Sequence, residues 1–311
     1  MPETTGERSQ SARVAQLDHG VGSAARCVLS WERSVAETQY QPSEASRQMD
    51  QINRRAWSDR STVRSFRDRE GWTDEGERVA FECVRVDAAN QPILDLGVGA
   101  GRTVPLLRSI SNDYVGLDYT PELVQACREK HPGARIVQGD ARDLSQFADA
   151  SFQLVVFSFN GIDAVNADDR ASILREVRRV LRVGGAFLFS SHNRNGPGHS
   201  EGLSYGVYKT RNPVRLAHRL TVAVIHAART IRNYERYSKL NYDGDGYSIR
   251  NASAHDHGIV IHYISLLDQL SQLARVGFRP GPLVFANSDG RQLLSGDSTG
   301  DVWWFHLVVR K

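Results

Sequence analysis

The run Asp95-Leu96-Gly97-Val98-Gly99-Ala100-Gly101-Arg102 is the stretch of this chain best suited to holding a ligand. Glycines let the backbone turn sharply and let a bound molecule approach the main chain. A helix opening just after Arg102 adds free amides and the positive end of its dipole, which suit an anionic group. The spacing is G-x-G-x-G, one residue tighter than the dinucleotide pattern. About twenty residues beyond Gly97 stand Asp118 and Tyr119, where a doubly wound sheet places a carboxylate that accepts from two ribose hydroxyls. Asp140-Ala141-Arg142 follows the next apolar run: the carboxylate can accept from an adenine amino group and the adjacent amide can donate to a ring nitrogen. Singly, each of these is also an ordinary strand-end turn. In line along one sheet edge they describe a nucleoside site.

A second group could carry a reaction. Asn160 and Asp163, in Phe157-Ser158-Phe159-Asn160-Gly161-Ile162-Asp163, can orient a hydroxyl or an amine, or merely cap a turn. His192 ends a later apolar run, and an imidazole suits a general base for a hydroxyl. His255, His257 and His262 form another cluster. His255-x-His257 offers two metal ligands, but no third stands at a diagnostic spacing, so no metal is expected.

The elements that must position these residues alternate. Asp74 with Glu77 reads as a capping box opening a helix through Val86. Strands follow at Ile93–Leu96, Tyr114–Leu117, Arg135–Gln138, Phe152–Phe159 and Ala186–Ser190. Between them lie helices after Arg102, from Thr120-Pro121 to Lys130, and over Asp168–Leu181, the last ending at Gly184-Gly185. Such alternation predicts crossover units on a parallel sheet covered on both faces. It stops at His192. Residues 193–257 are rich in Gly, Asn, Tyr and Arg, with one helix near Val214–Tyr234. Beyond them are strands at Ile259–Tyr263, Leu283–Ala286 and Val302–Val309 and a helix over Ser265–Val276. Another helix is expected at Ser23–Thr38.

Asp95–Gly101, Asp118, Gly139-Asp140-Ala141 and Leu181-Arg182-Val183-Gly184-Gly185 together resemble the successive motifs of the class I S-adenosylmethionine-dependent methyltransferases. The resemblance runs well from about Trp72 to His192 and loosely over the last fifty residues. It implies an α/β, Rossmann-like, seven-stranded and mostly parallel sheet of order 3-2-1-4-5-7-6 with an antiparallel last strand at Val302–Val309. It implies S-adenosylmethionine as cofactor, with Asp95 and the turn of Gly97, Gly99 and Gly101 at the methionine end, Asp118 at the ribose, Asp140 with Ala141 at the adenine, and Arg102, Tyr119 and Arg142 also in the cofactor site. Ser158 and Phe159 are assigned to the cofactor side of the loop after strand 4, and Asn160, Asp163 and His192 to the acceptor. Family members often have proline where Val183 stands; that turn does not touch cofactor.

The organisation expected is an N-terminal extension over 1–45, partly mobile, and a helical lid over 46–90. A cofactor-binding core over 91–192, a cap for the acceptor over 193–257, and the rest of the core sheet over 258–311 complete it. At 311 residues, 40% apolar and 24% charged, the chain is too apolar to be disordered. Its apolar runs are too short to span a bilayer, and no signal sequence follows Met1. Cys27, Cys83 and Cys127 form no disulfide framework, so a cytoplasmic protein is expected. A net charge of +3 does not by itself imply nucleic acid, and none is expected as partner. The basic stretch from Lys209 through Arg211, Arg215, Arg219, Arg229, Arg232 and Arg236 reads as a solvated cap helix, the sharper alternative being a surface for an anionic acceptor, a phospholipid headgroup or nucleic acid. The expected activity is methylation of a small-molecule acceptor, first a sugar or secondary-metabolite hydroxyl and second an amine. A nicotinamide-dependent oxidoreductase and a catalytically silent binding module are the more distant readings.

Overall fold

The apolar β-runs assemble as the alternation predicts. Ile93–Leu96 (β1), Tyr114–Asp118 (β2), Arg135–Gln138 (β3) and Phe152–Phe157 (β4) pair in parallel with one another or with Leu181–His192 (β5). Trp304–Arg310 (β10) runs antiparallel to β5 and to Leu283–Ala286 (β9), giving the order β3-β2-β1-β4-β5-β10-β9. This is the seven-stranded order expected, with the antiparallel strand where Val302–Val309 was placed. The computed structural model describes residues 43–68, 70–202 and 213–311, and for 213–220 and 222 only the backbone. The helix expected at Ser23–Thr38 and nearly all of the 1–45 extension lie outside the described residues.

Strand parity sends neighbouring side chains to opposite faces. Ile93, Tyr114, Leu154 and Leu188 meet the helices Glu75–Ala88 (α3), Val104–Ile110 (α4) and Pro121–Lys130 (α5). Leu94, Leu117, Val155 and Phe189 meet Ala167–Val180 (α6) and Leu266–Val276 (α8). Both faces are therefore dry, which is why the central strands read as unbroken apolar runs. Asp74 caps α3, accepting from the Glu77 amide at 2.8 Å. The second half of the predicted capping box does not form, because the Glu77 carboxylate is drawn to Arg102.

Two boundaries move. α6 ends at Val180 and the chain is already β-strand at Leu181, so Leu181–Gly185 begins β5 rather than linking to it. Ile259–Ile264 (β8) does not return to the main sheet at 258. It pairs with Tyr247–Ala252 (β7), which pairs with Tyr242–Asp243 (β6), in a separate three-stranded sheet. Residues 46–67 form two helices, Glu44–Trp57 (α1) and Arg60–Arg67 (α2). Asn53 of α1 stitches them to β8: its amide donates to the Val260 carbonyl at 2.8 Å and accepts from the Val260 amide at 2.9 Å. Met49, Ile52, Ile249 and Val260 bury one shared apolar face with Tyr237, at the end of the helix Pro213–Tyr237 (α7). The outer elements thus roof the carboxyl edge of the sheet. No helix among the described residues is long and apolar enough to cross a membrane.

Candidate active site

At that edge lies a cavity of about 370 Å³, within the size range of small-molecule pockets. One end is built by the strand-end residues. Gly97 holds φ +62°, and a Cβ there would come within 2.7 Å of the Phe157 ring, so the turn after β1 needs glycine. The turn brings the Gly99 amide to 2.9 Å from Asp118 Oδ2, while Oδ1 accepts from the Thr120 amide at 2.8 Å. Burial pushes the Asp118 carboxyl above the usual carboxylate range, and these amides offset it only in part. Next to it Tyr119 lies under the Arg54 guanidinium, 4.1 Å from ring centroid to carbon. Asp140 is tied to Arg142 at 2.7 Å and Arg54 at 2.9 Å. Burial raises its carboxyl, but Arg142 more than compensates and holds it low. Arg142 also bonds Asp50 and Asp169, each at 3.0 Å, joining α1 and α6 behind this wall.

The other end follows β4. Phe159 and Asn160 both adopt left-handed backbone, at φ 53° and 60°, a conformation costly for non-glycine residues and common at functional sites. It is held by the Asn160 amide donating to Ser190 Oγ at 2.7 Å. The Asn160 Oδ1 atom is buried with no hydrogen-bond partner among the described residues. Its Nδ2 stands 3.4 Å from His192 Nε2. On the far side of the ring, His192 Nδ1 is 2.9 Å from Asp163 Oδ2, which also accepts from the His192 amide at 2.6 Å. Asp163 is fully buried, paired with the equally buried Arg170, and accepts from Ser191 Oγ at 2.9 Å. Burial alone would raise its carboxyl; the Arg170 guanidinium and His192 outweigh it, and Asp163 stays ionised.

Of the residues singled out in the sequence, Gly97, Gly99, Asp118, Tyr119, Asp140, Ala141, Arg142, Ser158, Phe159, Asn160 and His192 all line this one cavity. Four do not. Asp95 is 1% exposed and turns its Oδ2 to Thr103 at 2.6 Å and Tyr114 at 2.8 Å. Gly101, at φ +93°, packs against His131 and Cys127 of the α5 end, where a Cβ would sit 2.4 Å from the imidazole. Arg102 forms a bidentate pair with the buried Glu77, both bonds 2.8 Å, and also bonds Ser158 and the Trp72 carbonyl. Asp163 stands behind His192. These four support the walls without forming them.

Sequence reasoning missed part of the enclosure. Trp57 and Phe66 line the cavity, and so does Trp304 from β10. The Trp304 indole is fixed by donating to Asp74 Oδ2 at 2.8 Å. His255 also lines it, its ring 5.0 Å from that of Trp57. His257 instead is buried against Asn251 and Tyr234. Apart from the aromatic composition of these segments, no local signal marks them, because they converge only through the roof.

The profile of the methyltransferase domain family matches residues 94–189, from β1 into β5. A probable S-adenosylmethionine-dependent methyltransferase of Mycolicibacterium smegmatis is 34% identical over 118 residues, covering 38% of this chain and 42% of that protein. The chain thus spans about two fifths of the length of the curated relatives it matches. The 1,6-didemethyltoxoflavin-N1-methyltransferase of Burkholderia thailandensis, solved with 1,6-didemethyltoxoflavin and S-adenosylhomocysteine, shares the fold. It has a TM-score of 0.53 and 14% identity, covering 88% of this chain and 93% of that one. The CcbJ methyltransferase of Streptomyces caelestis does so at 0.52 and 17%, over 82% and 97%. The domain built on this sheet is a class I S-adenosylmethionine-dependent methyltransferase domain. Residues 94–189 match that domain family, and the relatives they resemble include probable S-adenosylmethionine-dependent methyltransferases.

Proposed function

We propose that the chain methylates a small-molecule acceptor, and that the acceptor atom is a hydroxyl oxygen. The cavity suits the donor. Asp118 presents a buried carboxylate whose two main-chain bonds leave lone pairs for a ribose diol. Tyr119, Asp140, Ala141 and Arg142 would hold the adenine side, and Gly97 and Gly99 would admit the chain close to the backbone. When bound, S-adenosylmethionine supplies an electrophilic methyl group on a positively charged sulfur.

The observation that carries the hydroxyl reading is the His192–Asp163 pair, with Nδ1 2.9 Å from Oδ2. An ionised Asp163 accepts from a proton on Nδ1, and the tautomer this favours leaves Nε2, on the Asn160 side, as the acceptor. That nitrogen can take a hydroxyl proton as the oxygen is alkylated, a contribution of typically ~10²–10⁴-fold. Asn160 and Trp304 orient the acceptor, and the roof of α1, α2 and β8 excludes water. Alignment and dryness supply much of the remaining acceleration.

The test is methyl transfer from labelled S-adenosylmethionine to a panel of hydroxylated small molecules. His192→Asn is expected to lower turnover by roughly 10²–10⁴-fold with unchanged affinity for S-adenosylhomocysteine. Native turnover in the variant on a hydroxyl acceptor would remove the base. A native enzyme that accepts only amines would move the acceptor class, since a neutral amine attacks before it loses its proton.

A further inference from the structure

Behind His255 the cavity meets a second hollow of about 410 Å³, between α1, α2 and the end of α7. Its lining differs sharply in character. Arg55, Arg229, Arg232 and Arg236 bring four guanidinium groups to it, against two carboxylates, Asp59 and Asp256. Both acids are already engaged. Asp59 caps α2, accepting from the Ser61 amide at 2.9 Å. Asp256 faces His226 Nδ1 at 2.9 Å and Arg229 at 3.7 Å. Among the described residues, Arg55 and Arg232 have no carboxylate partner. These four arginines border one concave surface, and the planar fork of a guanidinium matches a phosphate bidentately.

His255 joins the two spaces, because its side chain lines both. The backbone holds it there at some cost: His255, Asp256 and His257 are three successive non-glycine residues in left-handed conformation, at φ 54° to 56°. Thr62 Oγ1 lies 3.2 Å from its Nδ1, and Trp57 packs edge-on against its ring. The apolar and aromatic chamber that His192 lines and the cationic hollow are therefore neighbours across one imidazole.

We propose that the acceptor carries a phosphate group, which seats among Arg55, Arg229, Arg232 and Arg236 while its apolar body lies between Trp57 and Trp304. The inference rests on the methyltransferase reading and narrows it to phosphorylated acceptors with an aromatic or apolar core.

The test uses the full chain saturated with S-adenosylhomocysteine and three probes measured by calorimetry: 2-naphthyl phosphate, 2-naphthol and inorganic phosphate. Naphthyl phosphate is expected to bind at least about tenfold more tightly than either fragment. In Arg55→Gln/Arg232→Gln it should fall to the level of naphthol, with S-adenosylhomocysteine affinity unchanged. Naphthyl phosphate binding no tighter than naphthol, or indifferent to the double substitution, would overturn the proposal. Naphthyl phosphate matching inorganic phosphate would also overturn it, by showing a free-anion site unconnected to the acceptor. Failure of the native protein to bind S-adenosylhomocysteine would instead sink the methyltransferase reading, so the two failures are distinguishable.

Discussion

Replacing Asp118 by asparagine tests the proposed nucleoside site at its centre. Both carboxylate oxygens accept main-chain amides, from Gly99 at 2.9 Å and from Thr120 at 2.8 Å. Asparagine keeps one acceptor oxygen, so its NH₂ must face one of those two N–H groups. A buried donor left without a partner costs about 1–3 kcal/mol. In the unliganded protein this is offset, because burial already disfavours the charge that the substitution removes. Fold stability should therefore change little. Cofactor binding has no such offset. Hydrogen bonds from ribose hydroxyls to a carboxylate are worth about 1.5–3 kcal/mol each, and the variant loses the charge in both while the Gly99 turn loosens. Losing even the lower figure once corresponds to about a tenfold weaker complex. Calorimetric titration with S-adenosylhomocysteine should show at least that loss, alongside a native-like thermal transition. A folded Asp118→Asn protein with native affinity would refute the reasoning and leave Asp118 as a turn residue.

Two further expectations concern the supporting carboxylates. Asp95 has its Oδ1 buried without a partner among the described residues, and burial, only partly relieved by Thr103 and Tyr114, pushes its carboxyl up from 3.8 to about 6. A carboxyl raised on folding contributes stability below its unfolded value and loses it as pH rises through the folded one. Native protein should therefore lose stability relative to Asp95→Asn between about pH 4 and 6, by up to roughly 2–3 kcal/mol. Urea unfolding of the two proteins at pH 4 and pH 7.5 measures the difference, and parallel curves would dismiss it. Asp163→Asn leaves Arg170 buried without its counter-charge, which costs about 3–5 kcal/mol, whereas His192→Asn leaves that pair intact. The first variant should melt far below the second, and equal melting temperatures would show that Arg170 does not depend on Asp163.

Much of the frame was legible because local rules set it. Unbroken apolar runs such as Leu154–Phe157 report burial on two faces, and β4 has helices on both. The glycine turn, Asp118 and Asp140 stand at strand ends, and a parallel sheet brings strand ends to one edge whatever else the chain does. Eleven of the fifteen residues singled out for the site consequently line one cavity. Partner choice was not legible. Glu77 sits where a capping box would use it, yet its carboxylate goes to Arg102, since a buried guanidinium needs a counter-charge more than a helix amide needs a second acceptor. Asp163 looked like a group facing the acceptor and turned out to stand behind His192, because Arg170 of α6 holds it in the interior.

By itself, the sequence determined the sheet, the glycine turn and carboxylates along one edge of it, and the presence of a histidine at the end of β5, because periodicity, glycine turns and strand-end positions act over a few residues. Only the tertiary structure decided what faces that edge. Trp57, His255 and Trp304 lie far apart along the chain and meet through the Asn53 bonds to β8, the small sheet and the return of β10 beside β5. Contacts of that range depend on which buried faces find each other, and a hydrophobic pattern records that a face is buried without recording against what.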